Sequence, residues 1–314
     1  MTHTDALRDL EASLQKMDPT LRLEKQALMA AYTTLHLGGP ADLLAHPTSP
    51  EQLKILLTEA KRLDVPVTLI GHGSNLVVRD GGIRGLVIRV CRGMREITAE
   101  GNILRAQAGA MLTALAMAAA EQSLGGLVFA SGIPGTVGGG VYMNAGAYDG
   151  EMKQVIESVT VLFPEEGVRT LSCGEMDFSY RHSLLSDHPD AVVLRASFRL
   201  APGEPEAIRE KMRELMARRK ASQPLEYPSA GSTFKRPEGG YASAMIDQCG
   251  LKGLTVGGAQ VSEKHAGFLV NRGGTAADFL ALMAKVQTAV YERFGVMLEP
   301  EVRILGEDSP VHAV

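Results

Sequence analysis

The chain has no tryptophan and only three cysteines in 314 residues. Cys91, Cys173 and Cys249 are odd in number, widely spaced and free of any Cys-x-x-Cys pair. That pattern excludes a disulfide framework and a cysteine-built zinc site, so reduced thiols and no metal are expected. No uninterrupted apolar run approaches the ~18 residues of a membrane span. The first residues, Met1 to Leu14, carry acids and bases at helical spacing, without the apolar core of a secretion signal. Excess positive charge is missing too. The formal charge is −4, and no basic stripe is interleaved with aromatics. A nucleic-acid binder is therefore not expected. What remains is a cytoplasmic protein without a membrane partner, long enough for two domains with real cores.

What the chain does have is glycine, 34 in all, and the densest cluster runs from Ala130 to Gly150. Gly132, Gly135, Gly138, Gly139, Gly140, Gly146 and Gly150 share that window with hardly any charge. Glycine loses more chain entropy on folding than any other residue, so such density needs a cause. Tight turns are one cause. A ligand lying against the backbone is the other: N–H groups left free, with no Cβ in the way, can wrap a pyrophosphate. The density favours the ligand.

Earlier in the chain, residues up to about Asp18 read as an amphipathic helix, and Gly38-Gly39-Pro40 as a turn between short strands. Ser49-Pro50-Glu51-Gln52 reads as a helix start, with serine as cap and Gln52 as capping-box partner, running to about Leu63. Val65–Ile70 reads as a strand ending in Gly71-His72-Gly73-Ser74-Asn75. Helix, buried strand and glycine loop make half of an α/β nucleotide site. A dinucleotide fingerprint would need glycine at position 76 and a helix after it. Leu76 and a strand-like run stand there instead, so the site is not of Rossmann type.

Strands are expected at Ile83–Val90, Ile103–Ala108, Val155–Leu162, Val168–Leu171 and Ala191–Leu200, and a helix from Gly109 to Gln122. Ala201-Pro202-Gly203-Glu204-Pro205 reads as a domain boundary, followed by a charged helix from Glu206 to Lys220. Thr275 caps a last long helix that Gly295 stops. Val296–Leu305 then reads as a strand, at an edge because Pro300 cannot donate to a ladder. Alternation puts Glu299, Glu301 and Arg303 on one side, with Leu298, Val302 and Ile304 on the other. The chain shows no internal repeat.

Tyr32-Thr33-Thr34 with Gly38–Ala41, Gly71–Asn75, Ser131–Gly146, Tyr180-Arg181, Ala230–Lys235 and Leu298–Val302 occur in that order. Together they resemble the UDP-N-acetylenolpyruvoylglucosamine reductases of the MurB type, in the shorter form without an inserted substrate-covering loop. The resemblance implies an α/β (α+β) fold with a flavin-binding part of the vanillyl-alcohol-oxidase (PCMH) type. It divides the chain into an N-terminal helix at 1–20, flavin subdomains at 21–90 and 91–201, and an α+β substrate domain at 202–314. The implied cofactor is non-covalent FAD, with NADPH as co-substrate. Its expected contacts are Gly71, His72, Gly73, Ser74, Asn75 and Leu76, then Ser131, Gly132, Pro134, Gly135, Gly138, Gly139, Asn144, Gly146 and Ala147. Some flavoproteins of this wider class join a histidine to the flavin; here His72 is expected as a contact at most.

The implied reaction reduces UDP-N-acetylglucosamine enolpyruvate to UDP-N-acetylmuramate in peptidoglycan precursor synthesis. Hydride arriving at the terminal alkene carbon leaves carbanion character beside a carboxylate. That demands fixed positive charge or aimed donors and a proton source. By resemblance Arg181 holds the carboxylate, Glu301 assists as a protonated donor, and Ser232 delivers the proton. Tyr142, Tyr180, Lys235 and Arg236 are expected substrate contacts. Spacing alone does not choose between Glu299 and Glu301, or among Ser229, Ser232 and Thr233. Two positions depart from many relatives: Ala244 replaces a lysine and Arg236 an asparagine, which puts the contacts to the substrate diphosphate in doubt. A monomer is expected. The alternatives are another flavin oxidoreductase on the same fold, and a nucleotide-binding regulator without catalysis.

Overall fold

Two hydrophobic cores divide the polypeptide. A computed structural model of the chain describes residues 2–91 and 93–309. One compact unit comprises Met1–Glu24, Leu43–His72 and Gly85–Arg218; the other comprises Lys25–Asp42, Gly73–Arg84 and Arg219–Val314. Each unit is discontinuous in sequence, and the last boundary between them falls inside the helix Pro205–Ser222.

The first unit opens on the helix His3–Met17. Thr2 and Asp5 form a capping box there, and Ala6, Leu10 and Leu14 are buried. The helix Pro50–Arg62 starts where Ser49 accepts from the Gln52 amide. Gln52 does not reach back to its cap as a capping box requires. Its side chain accepts from Thr48 N at 2.8 Å and donates to Asp18 at 2.8 Å, fastening the helix start to the end of the first helix. Strand Val67–Ile70 follows and pairs in parallel with Ile83–Arg89. These two strands form one end of a four-stranded sheet. Ile70 is where the chain leaves it for Gly71.

A second sheet carries the rest of this unit. Its strands lie in the order Gly167–Ser172, Ile156–Phe163, Val192–Arg199, Ile103–Gln107, Ile97–Glu100, every pair antiparallel. Val159, Val161, Ala196, Phe198, Leu104 and Ala106 are buried there, with the helix Leu112–Glu121 contributing Leu115 and Ala119 to the same core. In the charged helix Pro205–Ser222 only Ile208 and Leu215 are buried, with Met212 and Met216 half-buried beside them.

The second unit packs the helix Ala276–Phe294 on a small antiparallel sheet of Thr255–Val256, Ala259–Val261 and Leu269–Asn271. Phe279, Leu282, Met283, Val286 and Val290 face its core. Thr275 and Asp278 form the capping box, and Asp80 accepts from the Ala276 and Ala277 amides at 2.9 Å each. A carboxylate on orphan amides at a helix start stabilises on the order of 1 kcal/mol. Here it also fixes the segment that follows Leu76–Val78. That strand pairs in parallel with Arg303–Leu305. The long strand expected over Val296–Leu305 thus shrinks to its last three residues. Pro300 interrupts it, meeting Phe234 in a single bridge, and Ile304 is exposed instead of joining Leu298 and Val302 in the core.

Candidate active site

The glycine cluster folds into a short helix, Val137–Tyr142, capped by Thr136. Its amides are committed within the protein. Val137 N donates to Ala110 O, Gly138 N to Ala108 O, Gly139 N to the Thr136 hydroxyl and Gly140 N to Thr136 O. This corrects the picture of a loop of free N–H groups wrapping a phosphate. Several glycines also serve internal packing. A Cβ on Gly138 would meet Ala108 at 3.1 Å, one on Gly140 would meet Leu112 at 3.1 Å, and one on Gly150 would enter the Phe129 ring at 2.6 Å. Gly139 differs: it is exposed, and only the Thr136 hydroxyl, 3.5 Å away, neighbours its missing Cβ.

The loop after Val67–Ile70 meets this helix. A Cβ on Gly71 would lie 2.4 Å from Thr136 Oγ1, so Gly71 rests directly on the cap. The next residue, His72, is half-buried, its Nδ1 4.0 Å from Cys91 Sγ. Gly73, Ser74, Asn75 and Leu76 belong to the second unit. Gly73 has φ +78°, and a Cβ there would lie 2.1 Å from Tyr32 O. Its carbonyl accepts from Thr34 N.

Arg181 stands on a tight turn of the first unit. Ser179 and His182 exchange backbone bonds in both directions at 3.2 Å, leaving Tyr180 and Arg181 at the tip. Arg181 has φ +56°, a left-handed conformation that costs a non-glycine residue about 1 kcal/mol and persists only where the surroundings impose it. Its guanidinium donates to Gly146 O at 3.3 Å and lies 4.9 Å from the Tyr180 ring centroid. Tyr180 is exposed, while Tyr142, half-buried, accepts from the Ser183 hydroxyl through its carbonyl at 2.7 Å.

Ser232 and Glu301 lie in the second unit, on segments that the backbone joins. Glu301 N donates to Thr233 O at 2.8 Å, and Lys235 N donates to Glu299 O at 2.8 Å. Asn75 fixes the same place from the glycine loop. Its amide donates to Glu301 O at 3.0 Å, and its carbonyl accepts from Arg303 N at 2.9 Å. This arrangement gives Ser232 and Thr233, and likewise Glu299 and Glu301, different surroundings. Thr233 is buried and accepts from Leu269 N through its hydroxyl, whereas Ser232 beside it is exposed. Glu299 is turned to solvent and paired with Lys235 Nζ at 3.2 Å; Glu301 is half-buried. Arg236 lies 3.9 Å from the Tyr241 ring centroid. Thr136, Tyr241 and the clamp by Asn75 were not foreseen. Only Thr136 had a signal, a threonine directly before a run that can turn helical.

Residues 41–172 match a model of an FAD binding domain, and residues 223–305 match the C-terminal domain of UDP-N-acetylenolpyruvoylglucosamine reductase. A reductase of that name from Latilactobacillus sakei is 51% identical over 291 residues, 92% of this chain and 95% of the relative. Another from Agathobacter rectalis is 51% identical over 308 residues, 94% of this chain and 98% of the relative. This chain belongs to the UDP-N-acetylenolpyruvoylglucosamine reductase family. The crystal structure of the family member from Thermus caldophilus has a TM-score of 0.79 at 36% identity, covering 91% of this chain and all of that one. The α/β flavin-binding fold expected from the resemblance is therefore the fold of the chain.

The residues present fit the family's FAD. Gly139 is exposed with space where a side chain would stand, bare backbone of the kind a flat cofactor requires, and Gly71 lies against Thr136, whose hydroxyl caps the Gly139 amide. Among the described residues no group of histidine, cysteine and carboxylates is placed to hold a metal ion, and no helix is long and apolar enough to cross a membrane.

Arg89 acts on His72 and also on a second buried ring, His46. His46 Nε2 is 2.9 Å from Glu24 Oε1. Burial, the largest influence, holds the His46 ring below the usual histidine range; Glu24 opposes this, and Arg22 and Arg89 reinforce it. Burial, then Arg89, holds His72 down as well. Both rings stay neutral in the folded protein at a pH where the unfolded chain, with histidines near ~6.5, already binds protons. Acid therefore favours the unfolded state, and stability falls as pH drops from about 7 towards 5. In thermal melts across that range, His46→Gln, which keeps a donor for Glu24, flattens the decline. An unchanged slope would remove His46 from the account.

Proposed function

We propose that the chain catalyses the NADPH-dependent, FAD-mediated reduction of UDP-N-acetylglucosamine enolpyruvate to UDP-N-acetylmuramate, a step of peptidoglycan precursor synthesis. The observation that supports this reading is the backbone bond from Glu301 N to Thr233 O, which joins the segment of the exposed Ser232 to that of Glu301 within the second unit. Bound FAD supplies the hydride, drawn from NADPH. The chain's own residues handle the charge and the proton. Arg181, always cationic, holds the substrate carboxylate and the negative charge growing on it. Glu301 in its acid form assists as a donor to the developing enolate. Ser232 gives its hydroxyl proton to the carbon beside the carboxylate, a transfer that a weak acid completes only to a strongly basic carbanion held close. Lys235 and Arg236, the latter stacked on Tyr241, contribute positive charge to the substrate surface, with Tyr142 and Tyr180 as further contacts. The same reading makes Gly71–Leu76, with Ser131, Gly132, Pro134, Gly135, Gly138, Gly139, Gly146 and Ala147, the FAD contacts.

The test is NADPH oxidation by the purified holoenzyme with and without UDP-N-acetylglucosamine enolpyruvate, with the product identified by mass. Consumption that rises with the substrate and yields UDP-N-acetylmuramate is the expected result. Oxidation no faster than the background with oxygen would remove the substrate assignment and favour another flavin oxidoreductase on this fold.

A further inference from the structure

Asn144 was expected among the cofactor contacts, yet its side chain is fully buried and its amide is spoken for. Nδ2 donates to Glu151 Oε2 and to Ser179 O, both at 3.0 Å, and Oδ1 accepts from Lys153 N at 3.0 Å. An amide has two N–H donors and one carbonyl, so both donors are used inside the protein. Its backbone has φ +43°, a left-handed value that asparagine tolerates better than most residues. Asn144 therefore sits where the chain turns sharply out of the helix Val137–Tyr142.

The partner Ser179 O is the informative one. Ser179 opens the turn whose tip is Tyr180-Arg181. The segment 142–146 grips that turn at three successive places. Asn144 holds Ser179 O, Gly146 O receives the Arg181 guanidinium, and Tyr142 O receives the hydroxyl of fully buried Ser183. Arg181 itself is in a backbone conformation that its own residue type disfavours. Something outside the turn must hold it, and Asn144 does so through its bond to Ser179 O.

We infer that Asn144 is a positioning residue for substrate reduction: by anchoring Ser179 it fixes the turn and thereby where the Arg181 guanidinium stands. This rests on the role given to Arg181 above. A preorganised charge acts through its placement, and a displacement of about 1 Å can cost ~10²-fold in rate.

Two variants separate this from a merely structural role. Asn144→Asp keeps the size and the acceptor for Lys153 but turns oxygens towards Ser179 O and Glu151. Adding Glu151→Gln lets the new amide donate to the carboxylate introduced at position 144, which repairs the contact to residue 151 and leaves Ser179 O with only the His182 amide within its own turn. Stopped-flow measurement of the holoenzyme follows NADPH oxidation and substrate reduction separately, together with thermal melts and hydrogen exchange at the Ser179 and His182 amides. The expectation for Asn144→Asp is a lowered melting temperature, substrate reduction slowed about 10- to 100-fold and the NADPH half within about twofold of wild type. In the double variant the melting temperature recovers, while slow substrate reduction and fast amide exchange persist. Recovery of substrate reduction together with the melting temperature, or undisturbed exchange at Ser179 and His182, would overturn the inference. Arg181→Lys in the same assay keeps the two readings apart. If that variant reduces substrate normally, the role of Arg181 fails; if it is slow while the double variant is normal, only the positioning role of Asn144 fails.

Discussion

Ser232→Ala is expected to leave the NADPH half-reaction near its wild-type rate and to slow substrate reduction about 10³-fold. The size follows from what a positioned proton donor contributes, roughly 10²- to 10⁴-fold, which at the midpoint is about 4 kcal/mol of barrier. The selectivity follows from the structure. Ser232 is exposed, and the bonds that hold its segment belong to its neighbour: Thr233 N to Gly267 O, Thr233 O to Glu301 N, and the Thr233 hydroxyl to Leu269 N. Alanine at 232 leaves all three in place, so the melting temperature should barely move, as for most surface substitutions. Ser232→Cys, which retains a proton on a more acidic atom, should recover part of the lost rate. Stopped-flow traces decide the matter. Equal slowing of both halves would mean that Ser232 supports the fold or the cofactor, and its role as proton donor would have to be given up.

The contrast between Ser232 and Thr233 shows what the sequence could and could not convey. Adjacent hydroxyls in Ala230-Gly231-Ser232-Thr233 are equivalent as a string. They differ because Thr233 pairs with segments more than thirty residues away, at Gly267, Leu269 and Glu301, and is buried by them. Glu299 and Glu301 differ for the same reason, one paired with Lys235 and one clamped through its backbone by Thr233 and Asn75. Local elements were legible because their causes are local. Ser49-Pro50 and Thr275 with Asp278 start helices where caps predict them, and Gly295 ends the last helix in a left-handed conformation. The failures come from tertiary partners. Val296–Leu305 alternates like a strand, yet only Arg303–Leu305 finds a partner, the short strand Leu76–Val78. The glycine cluster has the composition of a phosphate loop, but Ala108, Ala110 and Thr136 claim its amides. Nor does any linear pattern announce that Lys25–Asp42 and Gly73–Arg84 join the C-terminal residues in one compact unit.

Gly71→Ala is the second large effect expected, and it acts on the cofactor. One methyl group is added where Thr136 Oγ1 lies 2.4 Å away, far inside contact distance. Gly71 has no left-handed backbone to protect, so the conflict is purely steric. Thr136 has little freedom to yield: it is 1% exposed, and its hydroxyl accepts from the Gly139 amide at the start of Val137–Tyr142. Relief must come from shifting the loop or uncapping the helix, and either change reshapes the backbone surface proposed above to hold the flavin. Overpacking of this kind costs about 1–3 kcal/mol, which predicts FAD held roughly 10- to 100-fold more weakly and protein that purifies pale. Thr136→Ala in the same chain removes the offending oxygen. The nearest remaining Thr136 atom shared with alanine, Cβ, is 3.5 Å from the new methyl, an ordinary contact. The double variant should therefore bind FAD better than Gly71→Ala, although Thr136→Ala by itself only loses a cap worth about 1 kcal/mol. Flavin absorbance relative to protein, with fluorescence titration of the apoprotein, measures each case. Wild-type flavin content in Gly71→Ala would show that the loop yields without disturbing the cofactor surface. A double variant as pale as the single one would show that Thr136 is not the wall Gly71 leans on.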